Sequence, residues 1–140
     1  MRDIRYIVLH CTATSQKTTI LSIQRYWRNF LGWRNPGYHF IIKPSGEIVQ
    51  LHPLEKVANG VRGYNANSIH ISYIGGVDRY QKPVDNRTMH QRIAMAMIID
   101  DLKKRFPKAK VLGHRDFPGV NKACPSFDVK KWLENNKYNV

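Results

Sequence analysis

Acidic residues are scarce: the 140-residue chain has 10 Asp and Glu against 23 Lys and Arg, a formal net charge of +13. Such an excess attracts polyanions, but charge at long range selects the sign of a partner and says little about its chemistry. Nucleic acid, anionic cell-wall polymers and acidic lipid headgroups all qualify. The chain lacks zinc-finger spacing, an RNP-type aromatic block and a basic helix with a dimer repeat, so no specific nucleic-acid partner is expected. Cysteine is nearly absent. Cys11 and Cys124 permit one bridge, which a domain of this size does not need, and both thiols are expected to be reduced.

Long apolar runs are missing too. Stretches such as 6–9 and 94–99 fall far short of the roughly 20 residues of a membrane-spanning helix. The opening Met1-Arg2-Asp3-Ile4 has neither the apolar region nor the cleavage site of a secretory signal, so classical export is not expected. No internal repeat, low-complexity tract or heptad appears, and a monomer is expected. A chain of 16.3 kDa, 42% hydrophobic with 5 Phe, 7 Tyr and 3 Trp, suits one globular domain over residues 1–140 and excludes wholesale disorder or a fibre.

Residues 4–9 are β-branched and aromatic after a charged start, which predicts a buried strand delivering His10 at its end. A polar loop leads to an N-cap at Thr18 or Thr19, and Ile20, Ile23, Tyr26, Trp27 and Phe30 then recur at helical spacing up to Gly32. Asn35-Pro36-Gly37 is turn chemistry before an expected strand at 38–42, which Pro44-Ser45-Gly46 joins in a hairpin to 48–51. Residues 53–67 predict a long loop, and the alternation of 69–74 predicts a half-buried strand. Thr88 and Gln91 form a capping box for a long helix whose stripe is Met89, Ile93, Ala96, Met97 and Leu102, ended by Pro107. A short strand at 110–114 delivers His114, and Ser126 with Asp128 starts a last helix through Trp132. This order predicts an α/β fold, a mixed central sheet flanked by helices.

Strand ends bring polar groups together on rigid supports, which draws His10 and His114 together. Ten residues after His114 comes Cys124, in Lys-Ala-Cys-Pro. Two neutral imidazoles and one thiolate make a three-ligand zinc site with its fourth position open, the catalytic pattern. Each residue has a plainer reading taken alone: histidines capping strand ends, a cysteine packed in the core. Cys11 is a second candidate thiol, but strand alternation turns it to the core if His10 faces the site.

His10-Cys11-Thr12-Ala13-Thr14, Gly37-Tyr38-His39-Phe40-Ile41-Ile42, Arg62-Gly63-Tyr64-Asn65, Asn67-Ser68-Ile69, Gly113-His114-Arg115-Asp116 and Lys122-Ala123-Cys124-Pro125-Ser126-Phe127-Asp128 lie in this order along nearly the whole chain. Together they resemble the short phage-lysozyme type of N-acetylmuramoyl-L-alanine amidases, which share the peptidoglycan-recognition-protein fold. The resemblance implies that His10, His114 and Cys124 bind Zn²⁺ and that Tyr38 and Lys122 are the catalytic partners. It also implies the substrate: bacterial peptidoglycan, cut at the amide between the lactyl group of N-acetylmuramic acid and L-alanine of the stem peptide. Lys122 suits the oxyanion, Tyr38 suits water orientation or proton transfer, and either is a candidate proton acceptor. Taken alone, Tyr38 reads as a core aromatic and Lys122 as a solvated charge.

Asn65, Asn67 and His70 are candidate substrate-binding residues in the groove. Asp116 and Asp128 are candidates to orient a ligand histidine, although Asp128 better suits the start of the last helix. His39, His52 and His90 lack a constellation and are assigned surface or capping roles. Relatives differ at two places: some carry a histidine in the loop matching 58–61, and many have glycine where His70 stands. Both bear on groove shape and stem-peptide preference. The competing functions are a muramyl-peptide recognition module that does not cut, a class that commonly lacks the cysteine, and a nucleic-acid binder. As an amidase the protein is expected to act at the cell wall, remaining cytoplasmic until the membrane is breached or leaving by an unidentified route.

Overall fold

The computed structural model describes residues 1–135, 137 and 138; residues 136, 139 and 140, near the end of the expected single domain, lie outside the described residues. The chain builds β1 (Tyr6–Cys11), α1 (Ile20–Arg25), β2 (Phe40–Ile42), β3 (Ile48–Gln50), β4 (Ser68–Tyr73), α2 (Met89–Arg105), β5 (Lys110–Gly113) and α3 (Val129–Glu134). Thr19 caps α1 by accepting from the Ser22 amide, and the helix continues as a π-helical turn over Tyr26–Phe30.

The sheet runs β3-β2-β4-β1-β5. The β2–β3 hairpin is antiparallel, whereas β2–β4, β4–β1 and β1–β5 are parallel, so it is mixed, as the element order predicts. Strand alternation gives the sheet two unlike faces. One carries Ile7, Leu9, Cys11, Ile42, Ile69, Ile71 and Tyr73, and Met95, Ile98, Ile99 and Leu102 of α2 close over it. The other is covered in two separate patches. Ile23 and Trp27 pack on Ile41 at one side, and Val61 and Phe117 pack on Val8 at the other. His10, His70 and Ser72 lie on this second face of β1 and β4, with His10 opposite Ser72 and His70 opposite Val8.

Three expectations change. All six residues of β4 are buried, because the polar members of the alternation meet a covered face and not water. On α2 the buried set is Gln91, Ala94, Met95, Ala96, Ile98, Ile99 and Leu102, while Met89 and Met97 of the expected stripe are 54% and 55% exposed. The apolar residues nearly encircle this helix, so the seated face follows from the sheet beneath it. His114 opens a short 3₁₀ turn just past β5 and does not end the strand itself. The capping box is formed as expected: Thr88 Oγ1 accepts from the Gln91 amide and the Gln91 side chain accepts from the Thr88 amide, both at 3.0 Å.

Candidate metal centre

Three distant segments converge on one point. β1 brings His10 up on the second face, the turn after β5 brings His114, and the loop before α3 returns Cys124. That loop is tied twice: Cys124 Sγ accepts from the Cys11 amide at 3.2 Å, and the Cys124 carbonyl accepts from the Arg115 amide at 2.9 Å. One donor atom from each of His10, His114 and Cys124 lies within 4.8 Å of the other two. Cys124 Sγ stands 3.8 Å from His10 Nδ1, and the two ring centroids are 4.9 Å apart. Nitrogen and sulfur donors around a tetrahedral zinc ion sit roughly 3.5 Å from one another, so the trio fits zinc with small adjustments. Among the described residues no other group of three His, Cys, Asp or Glu donors is gathered this way.

Protonation favours the same chemistry. Burial, reinforced by the charges of His70, His114 and Lys122, drives His10 well below the usual histidine range. Burial and then the Lys122 ammonium lower His114 to about 4. Both rings are neutral at pH 7, the form that ligates metals. The Cys11 and Cys124 thiols share a hydrogen bond, which eases the first ionisation of the pair and opposes the second. Cys11, expected in the core, is there, but its thiol and its amide also serve Cys124.

Tyr38 and Lys122 face this cluster. The Tyr38 ring is 5.1 Å from that of His10, and its hydroxyl donates to the Cys11 carbonyl at 3.3 Å. Burial, and then the neighbouring Cys124, pushes the phenol above its ordinary range, with a hydrogen bond to Ser72 opposing. Lys122 is exposed, yet its charge is felt by His10, His114 and Cys124. A site with one buried and one half-buried neutral imidazole, a half-buried thiol, a neutral phenol and one cation at its rim can stabilise charge that appears during a reaction.

The expected substrate residues are placed differently. His70 is wholly buried and bonds His10. Asn65 turns its amide oxygen to His70 and to two loop amides, and Asn67 donates to the Asp3 carbonyl at 2.8 Å. Asp116 accepts from the Gly113 amide and Asp128 caps α3; both serve chain turns, as preferred for Asp128. His90 is exposed and His52 half-buried, but His39 is a correction. It is wholly buried, its Nδ1 accepts from the His70 amide at 3.0 Å, and its Nε2 lies 2.8 Å from the Lys56 carbonyl. Its position inside an apolar run, Tyr-His-Phe-Ile-Ile, was the available sign of burial. A depression of about 620 Å³ lies between His52, Leu54 and the Ile98, Leu102 and Arg105 side of α2, and none of His10, His114 and Cys124 lines it.

The chain is similar to known proteins in sequence and fold. The sequence profile of the family described as N-acetylmuramoyl-L-alanine amidase matches residues 1–127. The endolysin of Klebsiella phage KP32 is 35% identical over 138 residues, 97% of this chain and 89% of that protein. The endolysin of Escherichia phage T7 is 36% identical over 133 residues, 94% and 86% of the two chains. Among solved structures, the Ph2119 endolysin from a Thermus scotoductus bacteriophage superimposes with a TM-score of 0.80 at 26% identity, covering 100% of this chain and 88% of the other.

Proposed function

The chain belongs to the N-acetylmuramoyl-L-alanine amidase family, and from that premise we propose that it is a zinc-dependent peptidoglycan hydrolase of the endolysin kind. The amide it cuts joins the lactyl group of N-acetylmuramic acid to L-alanine of the stem peptide, with water as the nucleophile. The convergence of His10, His114 and Cys124 donor atoms within 4.8 Å carries this reading. These three side chains would hold the ion, which when bound would supply Lewis acidity toward water and the scissile carbonyl.

The remaining steps belong to the chain's own groups. The Lys122 ammonium stabilises the oxyanion of the tetrahedral intermediate, a contribution typically worth about 3 to 4 kcal/mol for one good donor. The Tyr38 hydroxyl is held neutral by burial, so it acts at neutral pH as a hydrogen-bond donor and not as an acid: it orients the attacking water, whose proton passes to the departing amine. The neutral rings of His10 and His114 hold their lone pairs for the metal and do not compete for the substrate proton. The +13 charge concentrates the enzyme on anionic polymers of the wall. We assign residues 1–140 to one catalytic domain that acts as a monomer.

The test is release of free L-alanine amino groups from purified peptidoglycan, with zinc counted per chain. One zinc per chain and steady release are expected, with both lost in Cys124→Ser. A fully zinc-loaded native protein that binds wall fragments and releases nothing would convert the reading to a recognition module.

A further inference from the structure

Behind the three donors lies a hydrogen-bond chain that the reaction described above does not use. Asn65 Oδ1 is 3.1 Å from the Gly60 amide and 2.7 Å from the Val61 amide. Backbone N–H groups only donate, so the Asn65 atom between them is the oxygen and its orientation is determined. His70 Nε2 lies 2.9 Å from the same oxygen and therefore carries a hydrogen. His70 is wholly buried, and among the described residues no carboxylate is a hydrogen-bond partner of it, so a second proton on the ring would leave an unpaired buried cation. Its Nδ1 is then a bare acceptor. His10 Nε2 stands 2.8 Å from that Nδ1 and must donate, which leaves His10 Nδ1 unprotonated on the side of Cys124 Sγ, 3.8 Å away.

Resting on the reading of His10 as a metal ligand, we propose that His70 is a positioning residue: oriented by Asn65 and the Gly60 and Val61 amides, it locks His10 in the tautomer whose Nδ1 lone pair faces Cys124 and His114. The support around His70 is specific. Its own amide donates to His39 Nδ1 at 3.0 Å, and the two rings stack 11° from parallel at 6.0 Å. Glycine at position 60 leaves the room that the His70 ring occupies, because a Cβ there would stand 2.2 Å from His70 Nδ1 and force the ring or the loop to shift. The loop 58–61 carries no histidine of its own; the strand supplies the imidazole into the slot that Gly60 leaves open. Outer partners of this kind raise ligand basicity and hold the ring, and their loss typically costs 10–100-fold in metal affinity.

Three full-length proteins test it: wild type, His70→Leu and His70→Gln. The glutamine amide offers an oxygen to accept from His10 Nε2 and an NH₂ to donate to Asn65, so it can replace both bonds, whereas leucine replaces neither. Two readouts are taken, the zinc dissociation constant by chelator competition and the His10 tautomer from long-range ¹⁵N–¹H correlations of metal-free protein. The expected results are a single Nε2–H tautomer of His10 in the wild type, 10–100-fold weaker zinc binding with mixed tautomers in His70→Leu, and recovery to within a few-fold in His70→Gln. Wild-type protein with its proton on His10 Nδ1, or a folded His70→Leu that binds zinc as tightly as wild type, would overturn the assignment. If His70→Leu does not fold, the wild-type spectrum alone decides the proton's place. Wild-type protein that binds no zinc but shows the Nε2–H tautomer removes the metal reading and leaves the hydrogen-bond chain standing.

Discussion

A single ammonium at the rim separates chemistry from architecture in this site. Lys122 is exposed and holds no part of the core, so Lys122→Ala is expected to lower kcat by about 10²–10³-fold with KM within a few-fold and the denaturation midpoint unchanged. A variant with kcat near wild type would remove Lys122 from the mechanism. Gly60 shows the opposite case, a residue with no chemistry on which the site depends. In Gly60→Ala the new methyl group meets His70 Nδ1 at 2.2 Å, and the ring or the loop must move, at a cost of about 1–3 kcal/mol by the usual scale of overpacking. Urea denaturation and zinc affinity measured on this variant should both fall; unchanged values would mean that the ring has room elsewhere. Residue types alone announced part of this. A histidine at each of two strand ends and a cysteine in a Pro-bearing loop were legible as candidate donors, although each has a plainer reading taken alone. The burial of His39 and the inward turn of His70 were not, since an imidazole serves equally well on a surface, in a groove or behind a ligand, and only its neighbours decide which.

Helix α2 (Met89–Arg105) is seated by both local chemistry and packing, and the two were unequally legible. Its start is local: Thr88 and Gln91 exchange hydrogen bonds, and Thr88 Oγ1 also donates to the Pro44 carbonyl at 2.7 Å, tying the helix to the hairpin. Thr88→Ala should therefore cost about 1 to 2 kcal/mol, toward the upper range for a cap, read as a shift in urea midpoint at constant slope; a loss under about 0.3 kcal/mol would show that water replaces both bonds. The buried face was misjudged from sequence because methionines lie all around the helix, and which of them is covered depends on the sheet. The Lys110–Gly113 strand, the hairpin and both flanking helices were legible because a period of two or of three and four, bounded by Gly, Pro or a cap, leaves little choice. The full burial of β4 was not, since Ser68, His70 and Ser72 look like solvent-facing alternates until a covered second face exists to receive them.

At the scale of the molecule, protonation couples the site to stability. His10, His39 and His70 are buried and lie below the ordinary histidine range, chiefly through desolvation, His39 at about 4. In the unfolded chain each takes a proton near pH 6.5. Between about pH 6.5 and 4 the unfolded state thus binds more protons than the native one, and the metal-free protein should lose stability progressively as pH falls through that window, by about 3 kcal/mol from His39 alone at its lower end. Urea midpoints at pH 7.5, 6 and 5 check this; a flat profile would mean that the rings are accessible and protonated in the native state. The +13 charge makes a separate prediction, that added salt weakens binding to anionic wall polymers while leaving turnover of a small neutral muramyl peptide nearly unchanged. By itself the amino-acid sequence determined the order of elements and the sign of the field and supplied the candidate donors, because periodicity, charge and ligand chemistry are carried by residues and their near neighbours. Only the tertiary structure decided that His10, His114 and Cys124 meet, that Asn65 and His70 stand behind them and which faces of β4 and α2 are covered, because parallel pairing and sheet packing join residues 60 and more positions apart and no local pattern encodes such a meeting.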